Sequence, residues 1–293
     1  MKSLKLRRFL ANLLIYVILI VMSVIWLAPI VWLILQSFGT SLAVRANLVP
    51  TSWSFDAYLG LFADWTGVKA GGSFDGKFPL WFGNTLIVAI CTCLISTLFV
   101  LGTAYALSRF RFNGRNLFMR VNLVIGMFPG FLGMIILYWV MNSIFHLEGS
   151  FWSLVIIYSA GAGGGYYISK GFFDTVSKSI DEAAMIDGAS RAQIFWKIIL
   201  PLSKPIVIYT VLTSFMAPWG EYVTSSYIVG LQNPDNWTVA IGLYQFMSTN
   251  EYTVKYYVQF AAGAVVVALP ITILFFVLQK YYVSGVTGGA VKG

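Results

Sequence analysis

The sequence predicts an all-α membrane protein with six transmembrane helices and cytoplasmic N- and C-termini. Hydrophobic residues make up 58% of its 293 residues and charged residues only 10%, whereas about a quarter of the residues in a soluble domain are charged. The mean hydropathy is +0.79. Apolar runs of the ~20 residues needed to cross ~30 Å of hydrocarbon recur along the chain. These observations exclude a soluble enzyme.

The first predicted span covers residues 9–36, and basic residues precede it. The apolar run is too long for a signal peptide and no small-residue cleavage site closes it, so we expect an uncleaved helix. Residues 37–80 are polar and contain Trp53, Tyr58 and Trp65. Because aromatic side chains need a surface to bury against, we expect this stretch to be a folded extracytoplasmic loop.

Five further spans are predicted near residues 81–107, 121–141, 152–168, 205–229 and 257–279. Each is long enough to cross the bilayer. The predicted organisation is an N-terminal tail with the first helix (1–36), an extracytoplasmic loop (37–80), a five-helix core (81–279) that includes a polar loop (172–204), and a cytoplasmic C-terminal tail (280–293).

The positions of the basic residues predict the orientation. With the N-terminus inside, fifteen of the 19 Lys and Arg residues lie on the cytoplasmic side, and only Arg45, Lys69, Lys77 and Lys255 lie outside. Such an excess marks the cytoplasmic side of a membrane protein, so the polar loop is predicted to face the cytoplasm. The formal net charge of +8 has the same explanation and does not indicate a nucleic-acid partner.

Residues 179–205 form the one long polar segment rich in signals that start and stop helices. Two Ser-x-x-Glu/Gln capping boxes predict two short helices that begin at their serines. The boxes are Ser179 with Glu182 and Ser190 with Gln193. Gly188 between them can adopt a left-handed conformation that permits a sharp turn, and Pro201 should end the second helix. The pattern predicts a compact helix-turn-helix.

This segment resembles the EAA loop, the cytoplasmic loop of permease subunits in bacterial binding-protein-dependent ABC importers. The matching residues are Glu182, Ala183, Ala184, Asp187, Gly188, Phe195, Ile198, Leu200, Pro201 and Pro205. Nearly the whole chain resembles the carbohydrate branch of these importers, specifically the six-helix subunit of maltose-type transporters. The resemblance implies the type I ABC importer permease fold, in the bacterial cytoplasmic membrane and surrounded by lipid.

The resemblance also implies partners and a mechanism of alternating access. The chain should pair with a second, homologous permease, dock two copies of a cytoplasmic ATPase, and receive an oligosaccharide from an extracytoplasmic binding protein. ATP and Mg²⁺ would be bound by the ATPase, with no cofactor in this chain. Glu182 would contact the ATPase, Gly188 would set the turn, and Phe195 with Ile198 would hold the second helix against the bundle. Maltooligosaccharides, galacto-oligosaccharides and uronate oligomers such as alginate are all admissible substrates.

Glu221 is the one carboxylate predicted to lie within a transmembrane helix, where a charge is costly unless it faces water or a partner. Helical spacing predicts one face of the fifth span that carries Ser214, Pro218, Glu221 and Ser225, with Trp219 and Tyr222 beside it. We expect this face to line the substrate path. A polar contact that only holds helices together is the alternative.

The fourth span is rich in glycine before Tyr166 and Tyr167. These tyrosines suit stacking on sugar rings, although tyrosines at a membrane interface have the same pattern. Pro129, Pro218 and Pro270 lie within predicted spans, and broken helices of that kind are tolerated where they line a cavity. The tyrosine pair and the prolines are both consistent with a substrate path through these helices.

Residues 231–256 form an outer segment longer than two adjacent helices need. It combines turn residues with aromatic and amide side chains. The resemblance implies that this loop reaches the docked binding protein, through residues such as Trp237, Tyr244, Gln245 and Ser248. A loop that packs on its own bundle is the alternative.

Several kinds of chemistry lack a sequence signal. The chain has no phosphate loop for ATP, and no paired nucleophile and base for a membrane-embedded enzyme. His146 is the single histidine, so no metal site is predicted. Cys91 and Cys93 point to nearly opposite sides of a helix, which disfavours a disulfide. An ion-coupled secondary transporter remains the alternative function, although it should show several intramembrane ionisable groups and only Glu221 is predicted.

Overall fold

A computed structural model of the chain describes residues 2–40, 47–127 and 130–290. These ranges are mostly helical, with one isolated antiparallel bridge between Gly39 and Trp53. The α-helices in chain order are α1 Lys2–Gln36, α2 Asp56–Leu61, α3 Ala63–Thr66, α4 Phe78–Arg109, α5 Arg115–Gly126, α6 Gly130–Ser143, α7 Trp152–Gly161, α8 Tyr166–Thr175, α9 Lys178–Ile186, α10 Arg191–Ile194, α11 Leu200–Leu202, α12 Lys204–Gly220, α13 Val223–Val229, α14 Val239–Gln245 and α15 Asn250–Ala290.

Three of these helices are long and apolar enough to cross a membrane, over Arg7–Gln36, Phe78–Arg109 and Asn250–Lys280. A fourth candidate is the pair Arg191–Leu202 and Lys204–Gly220, which is bent by 87°. Two shorter apolar helices, Leu132–Ser143 and Trp152–Gly161, accompany them. The helical membrane class is confirmed, while the number of six spans and the side of the termini stay predictions.

Three predicted spans are interrupted rather than continuous. The span at 121–141 falls on α5 and α6, and Pro129 lies outside the described residues. The span at 152–168 contains a 3₁₀ turn, Ala162–Gly165, between α7 and α8, as expected where glycines weaken an α-helix. The span at 205–229 breaks between α12 and α13. In contrast, α15 runs through Pro270 without a break.

The described residues form two compact units. The first contains those of Met1–Phe78 and Gln245–Val266, and the second those of Pro79–Tyr244 and Val267–Gly293. In the first unit, Tyr256 is buried, its hydroxyl accepts a hydrogen bond from Phe74 N at 2.9 Å, and its ring stacks on Phe246 with centroids 4.6 Å apart. These contacts give the unit its own core.

The predicted folded loop at 37–80 contains an aromatic cluster in the first unit. The ring of Phe38 lies 5.2 Å from that of Tyr58 and 5.4 Å from that of Phe55. Tyr58 also shares a hydrogen bond of 2.7 Å with Ser37. Trp53 and Trp65 are 58% and 78% exposed, so the expectation that they are buried is wrong for these two side chains.

The core of the second unit lies where α4 meets the helices that follow it. Its buried residues come from α4, α8 and the segment from α9 to α12. They are Val100, Leu101, Ala104, Tyr105, Leu107, Tyr166, Phe173, Ala184, Ile194, Phe195, Ile199 and Ile206. This core therefore joins the polar loop predicted at 172–204 to the end of a long apolar helix.

Candidate functional site

The polar loop folds as a helix-turn-helix, which we call the EAA segment (residues 177–203). Gly188 follows α9 with φ of +84°, the left-handed conformation that glycine favours after a helix. Ser190 then starts α10 with a complete capping box. Its Oγ accepts from Gln193 N at 3.3 Å, and Gln193 Oε1 accepts from Ser190 N at 2.7 Å. The predicted turn and the second capping box are confirmed.

Two predicted helix ends in the EAA segment are wrong. Helix α9 begins at Lys178 with Ser177 as its N-cap, so Ser179 lies inside the helix and no capping box forms with Glu182. The second helix continues past Pro201 to Leu202. It does so through a π-helical stretch, Phe195–Ile199. This wider turn accommodates a proline, which lacks an N–H and would otherwise clash with the carbonyl four residues before it.

Buried contacts hold the EAA segment against the C-terminal end of α4. Arg109 Nε lies 2.8 Å from Asp181 Oδ2, and these side chains are only 1% and 5% exposed. Arg109 Nη2 also donates a hydrogen bond to Val176 O at 3.0 Å. The rings of Tyr105 and Phe195 lie 4.9 Å apart. The ion pair therefore holds the first short helix, and the aromatic pair the second, against the C-terminal end of α4.

A second polar link joins this end of α4 to α8. Ser108 Oγ donates to Asp174 Oδ1 at 2.6 Å, and Lys170 Nζ lies 2.6 Å from Asp174 Oδ2. Partial burial raises the pKa of Asp174, but the hydrogen bonds from Lys170 and Ser108 outweigh burial, so the pKa lies below its ordinary value. The carboxylate is therefore charged at neutral pH.

The side chains of the EAA segment divide into a packed set and an exposed set. Ala184 and Phe195 are buried, and Ile198 packs partly buried against the same core. The exposed residues include Glu182, Ala183, Asp187, Gly188 and Pro201. Ile186 is 87% exposed. The segment thus presents polar and apolar groups together on an accessible surface, as a protein-binding site does.

A cavity of about 530 Å³ lies in the second unit. It is bounded by side chains of α4, α6, α7, α12 and α13 and by the 3₁₀ turn. Most of the wall is apolar, and hydroxyl groups interrupt it at Thr92, Ser96, Tyr158, Tyr209, Thr210, Thr213, Ser214 and Thr224. The cavity is within the ~300–1,000 Å³ typical of small-molecule sites.

One of the residues predicted for the substrate path, Ser214, lines this cavity. The others pack outside its wall. Trp219 is 2% exposed and lies 5.2 Å from the ring of Phe82, and Pro218 is also buried. Tyr166 and Tyr167 stack on each other with centroids 4.3 Å apart, and Tyr222 stacks on Tyr244 at 4.0 Å.

Glu221 lies at a break in the helix rather than within it. Its backbone is extended, with φ of −85° and ψ of 101°, so Ser214, Pro218, Glu221 and Ser225 do not share one helical face as predicted. The carboxylate accepts hydrogen bonds from Thr224 N at 2.8 Å, Ser225 N at 3.0 Å and Tyr158 Oη at 2.8 Å. The Glu221 carboxylate therefore accepts from the first turn of α13 and links this helix to α7, which explains how it is accommodated.

The outer segment is packed on the bundle over its first half. Trp81 Nε1 donates to Pro234 O at 2.8 Å, and Asn84 Nδ2 donates to Asp235 O at 2.8 Å and to Trp237 O at 3.0 Å. Trp237 is 3% exposed. Farther along, Tyr244 is 51% exposed, Gln245 is half-buried and Ser248 is exposed. Of the four residues predicted to contact a binding protein, Trp237 is thus inaccessible in this conformation.

Gly242 permits this packing, because a Cβ added there would lie 1.9 Å from the ring of Trp81. We therefore expect Gly242→Ala to displace Trp81 and lower the free energy of unfolding by ~1–3 kcal/mol, as is typical of an overpacked core site. Thermal unfolding in detergent measures the change. Gly83→Ala is the matched control, since no atom lies within 4 Å of its added Cβ. Equal melting temperatures for the two variants would contradict the prediction.

Several residues of the site were missed from the sequence. The pairing of Arg109 with Asp181 had no local signal, because the two residues are far apart in the chain and only the fold brings them together. Thr92 and Ser96, four residues apart in an apolar run, did carry a signal of a polar stripe on one helix face. Among the described residues, no three His, Cys, Asp or Glu side chains cluster so as to hold a metal ion.

Comparison with known families gives a match to "Binding-protein-dependent transport system inner membrane component" over residues 99–288. This range contains the EAA segment and every predicted site residue.

Similar proteins match over nearly their whole length. The galactooligosaccharides transport system permease protein GanQ of Bacillus subtilis is 36% identical over 99% of both chains. The maltodextrin transport system permease protein MalD of Streptococcus pneumoniae is also 36% identical over 99% of both chains. A crystal structure of a bacterial ABC transporter involved in the import of the acidic polysaccharide alginate has a chain of the same fold. Its TM-score is 0.74 at 24% identity, with 93% of this chain and 96% of that chain covered.

Proposed function

The chain belongs to the family of binding-protein-dependent transport system inner membrane components, and on that basis we propose that it passes an oligosaccharide across the membrane as the permease subunit of an ATP-driven importer. It is a multi-pass protein of the inner membrane. The observation that carries the substrate class is its 36% identity, over 99% of both chains, to permeases named for galactooligosaccharides and for maltodextrin.

The EAA segment is the proposed docking site for a separate ATPase subunit, which would bind ATP and Mg²⁺. Its exposed residues, among them Glu182 and Ile186, offer one charged and one apolar contact. The buried pair of Arg109 and Asp181 would transmit a movement of this site to α4. A second, homologous permease and a second ATPase copy would complete the complex, and alternating access would carry the sugar through it.

The alternative of an ion-coupled secondary transporter is not favoured. Such a transporter needs an intramembrane group that binds and releases its ion. Glu221 was the predicted candidate, and its carboxylate already accepts three hydrogen bonds from groups of α7 and α13.

Reconstitution tests the proposed function. The complete complex of this chain, its second permease, the ATPase and the binding protein is placed in proteoliposomes, and uptake of maltotriose and galactotriose is measured with and without ATP. We expect uptake of at least one of them only with ATP and the binding protein. Uptake driven by an ion gradient without ATP would overturn the proposal.

Contact with the binding protein is expected at the exposed part of the outer segment. Deleting residues 245–249 is an unsuitable test, because it would remove the buried Phe246. Tyr244→Ala is a more specific test, because this side chain is half exposed and its removal leaves the buried Phe246 in place. We expect it to reduce the stimulation of ATP hydrolysis by loaded binding protein about tenfold, the usual effect of losing an interface aromatic residue worth ~1–2 kcal/mol.

The control for that prediction is Tyr222→Ala, which removes the other ring of the stacked pair. If Tyr244 acts only by packing on Tyr222, both variants should reduce the stimulation equally, and the contact with the binding protein would be refuted. Basal ATP hydrolysis without binding protein reports whether each variant still assembles.

A further inference from the structure

Two buried hydroxyl groups in the wall of the cavity have no role in ATPase docking. Thr92 and Ser96 lie four residues apart on α4, are 2% and 0% exposed, and both line the cavity. Neither hydroxyl oxygen has a hydrogen-bond partner within the described ranges. A buried polar group without a partner is destabilising, so these two positions suit a bound group that both donates and accepts.

Other hydroxyl groups of the same cavity show the usual alternative. Thr210 donates to Ile206 O and Thr213 to Tyr209 O, each at 2.9 Å and each four residues back in its own helix. That bond satisfies a threonine hydroxyl inside an apolar helix. Thr92 and Ser96 do not form it, although both have the same helical setting. The hydroxyl groups of Thr92 and Ser96 are therefore available to a ligand, whereas those of Thr210 and Thr213 are bound to the backbone.

The charge of the cavity wall restricts the ligand. None of the sixteen lining residues is Asp, Glu, Lys, Arg or His. The carboxylate nearest in the hydrogen-bond network is Glu221, which accepts from the lining residue Tyr158. An anion entering here would lose its hydration, meet no cation among these residues, and approach a carboxylate. An uncharged, hydroxyl-rich molecule avoids all three costs, and the rings of Tyr158 and Tyr209 suit its C–H faces.

We propose that this cavity is a passage site for an uncharged oligosaccharide, that Thr92 and Ser96 hydrogen-bond its hydroxyl groups, and that it excludes uronate oligomers. The inference rests on the proposed function as a sugar permease and narrows it. The proposed preference for uncharged sugars distinguishes this chain from the alginate importer that shares its fold.

The first test removes the two hydroxyl groups without changing the shape of the cavity. In reconstituted complexes, Thr92→Val with Ser96→Ala should lower ATP-driven uptake of maltotriose or galactotriose roughly tenfold, as expected for two lost neutral hydrogen bonds. ATP hydrolysis stimulated by loaded binding protein should persist. The matched control is Thr97→Val, which deletes a hydroxyl group from the same helix outside the cavity wall. Copurification of the ATPase reports assembly.

The second test probes occupancy without the binding protein. In a Cys91→Ala, Cys93→Ala background, Thr213→Cys places a thiol at an exposed position of the cavity wall. We expect a neutral trisaccharide to slow its reaction with a small maleimide at least threefold, and a uronate trisaccharide at the same concentration to leave the rate unchanged.

Three results would overturn the inference: unchanged uptake in the double variant, an equal loss in Thr97→Val, or equal protection by the uronate. Failure of the proposed function is distinct, because the wild-type complex would then show no ATP-driven uptake of either trisaccharide.

Discussion

Gly188→Val is expected to abolish ATP-driven sugar uptake while leaving membrane insertion intact. Gly188 has φ of +84°, a conformation that a β-branched residue adopts only at a cost of ~1–3 kcal/mol. To avoid it, the chain must change the angle between α9 and α10, and that angle positions the surface proposed to dock the ATPase. Uptake into proteoliposomes and copurification of the ATPase measure the loss.

A graded series at Gly188 separates backbone strain from crowding. No atom lies within 4 Å of a Cβ added at this position, so the size of the side chain should matter little in itself. Asn tolerates the left-handed conformation better than other residues, and Gly188→Asn should therefore retain most of the uptake. Equal activity of the Val and Asn variants would show that the turn does not position the docking surface.

Removing one charge from the pair of Arg109 and Asp181 should have the second large effect. Both side chains are at least 95% buried. Breaking a buried ion pair leaves an uncompensated charge and typically costs about 3–5 kcal/mol. We expect Asp181→Asn or Arg109→Met to lower the melting temperature of the detergent-solubilised protein and to detach the EAA segment from α4. Uptake per ATP hydrolysed should then fall in whatever complex still assembles.

The double variant Arg109→Met, Asp181→Leu distinguishes the charge from the packing. It removes both charges and keeps apolar volume, so it should be more stable than either single variant. It should still couple poorly, because the ion pair between α4 and α9 is gone. Asp174→Asn is the control. The side chains of its ion pair with Lys170 are 15% and 42% exposed, so this pair should contribute far less to stability. A double variant that is as unstable as the singles would contradict this account.

The parts of the EAA segment that were predictable depend on local chemistry. The capping box at Ser190 and the turn at Gly188 each involve residues within five positions of each other, so the sequence contains all the groups required. The first helix shows the limit of that reasoning. Ser179 and Glu182 match a capping box, yet Ser177 is the cap that forms, because a serine two residues earlier competes for the same role.

What could not be predicted depends on distant residues. Glu221 was expected on a continuous helical face, but Tyr158 and the backbone N–H groups of α13 stabilise its carboxylate at a helix break. Trp237 was expected at an exposed surface, but Trp81 and Asn84, some 150 positions away, bind the surrounding carbonyls. Hydropathy identified the long apolar helices and carried no information about these partners.

The chain bends by 87° at Ser203, between the second short helix of the EAA segment and α12, so a rotation of the short helix would tilt α12. Since α12 has 17 residues, it is ~25 Å long at 1.5 Å per residue, and a tilt of about 10° at the bend moves its far end by about 4 Å. That far end carries Ser214 and Ala217 of the cavity wall and stops at Gly220, beside the break capped by Glu221. With the ATPase docked on the EAA segment as proposed, a rotation of about 10° there would move Ser214 and Ala217 by about 3 Å and so change the width of the cavity.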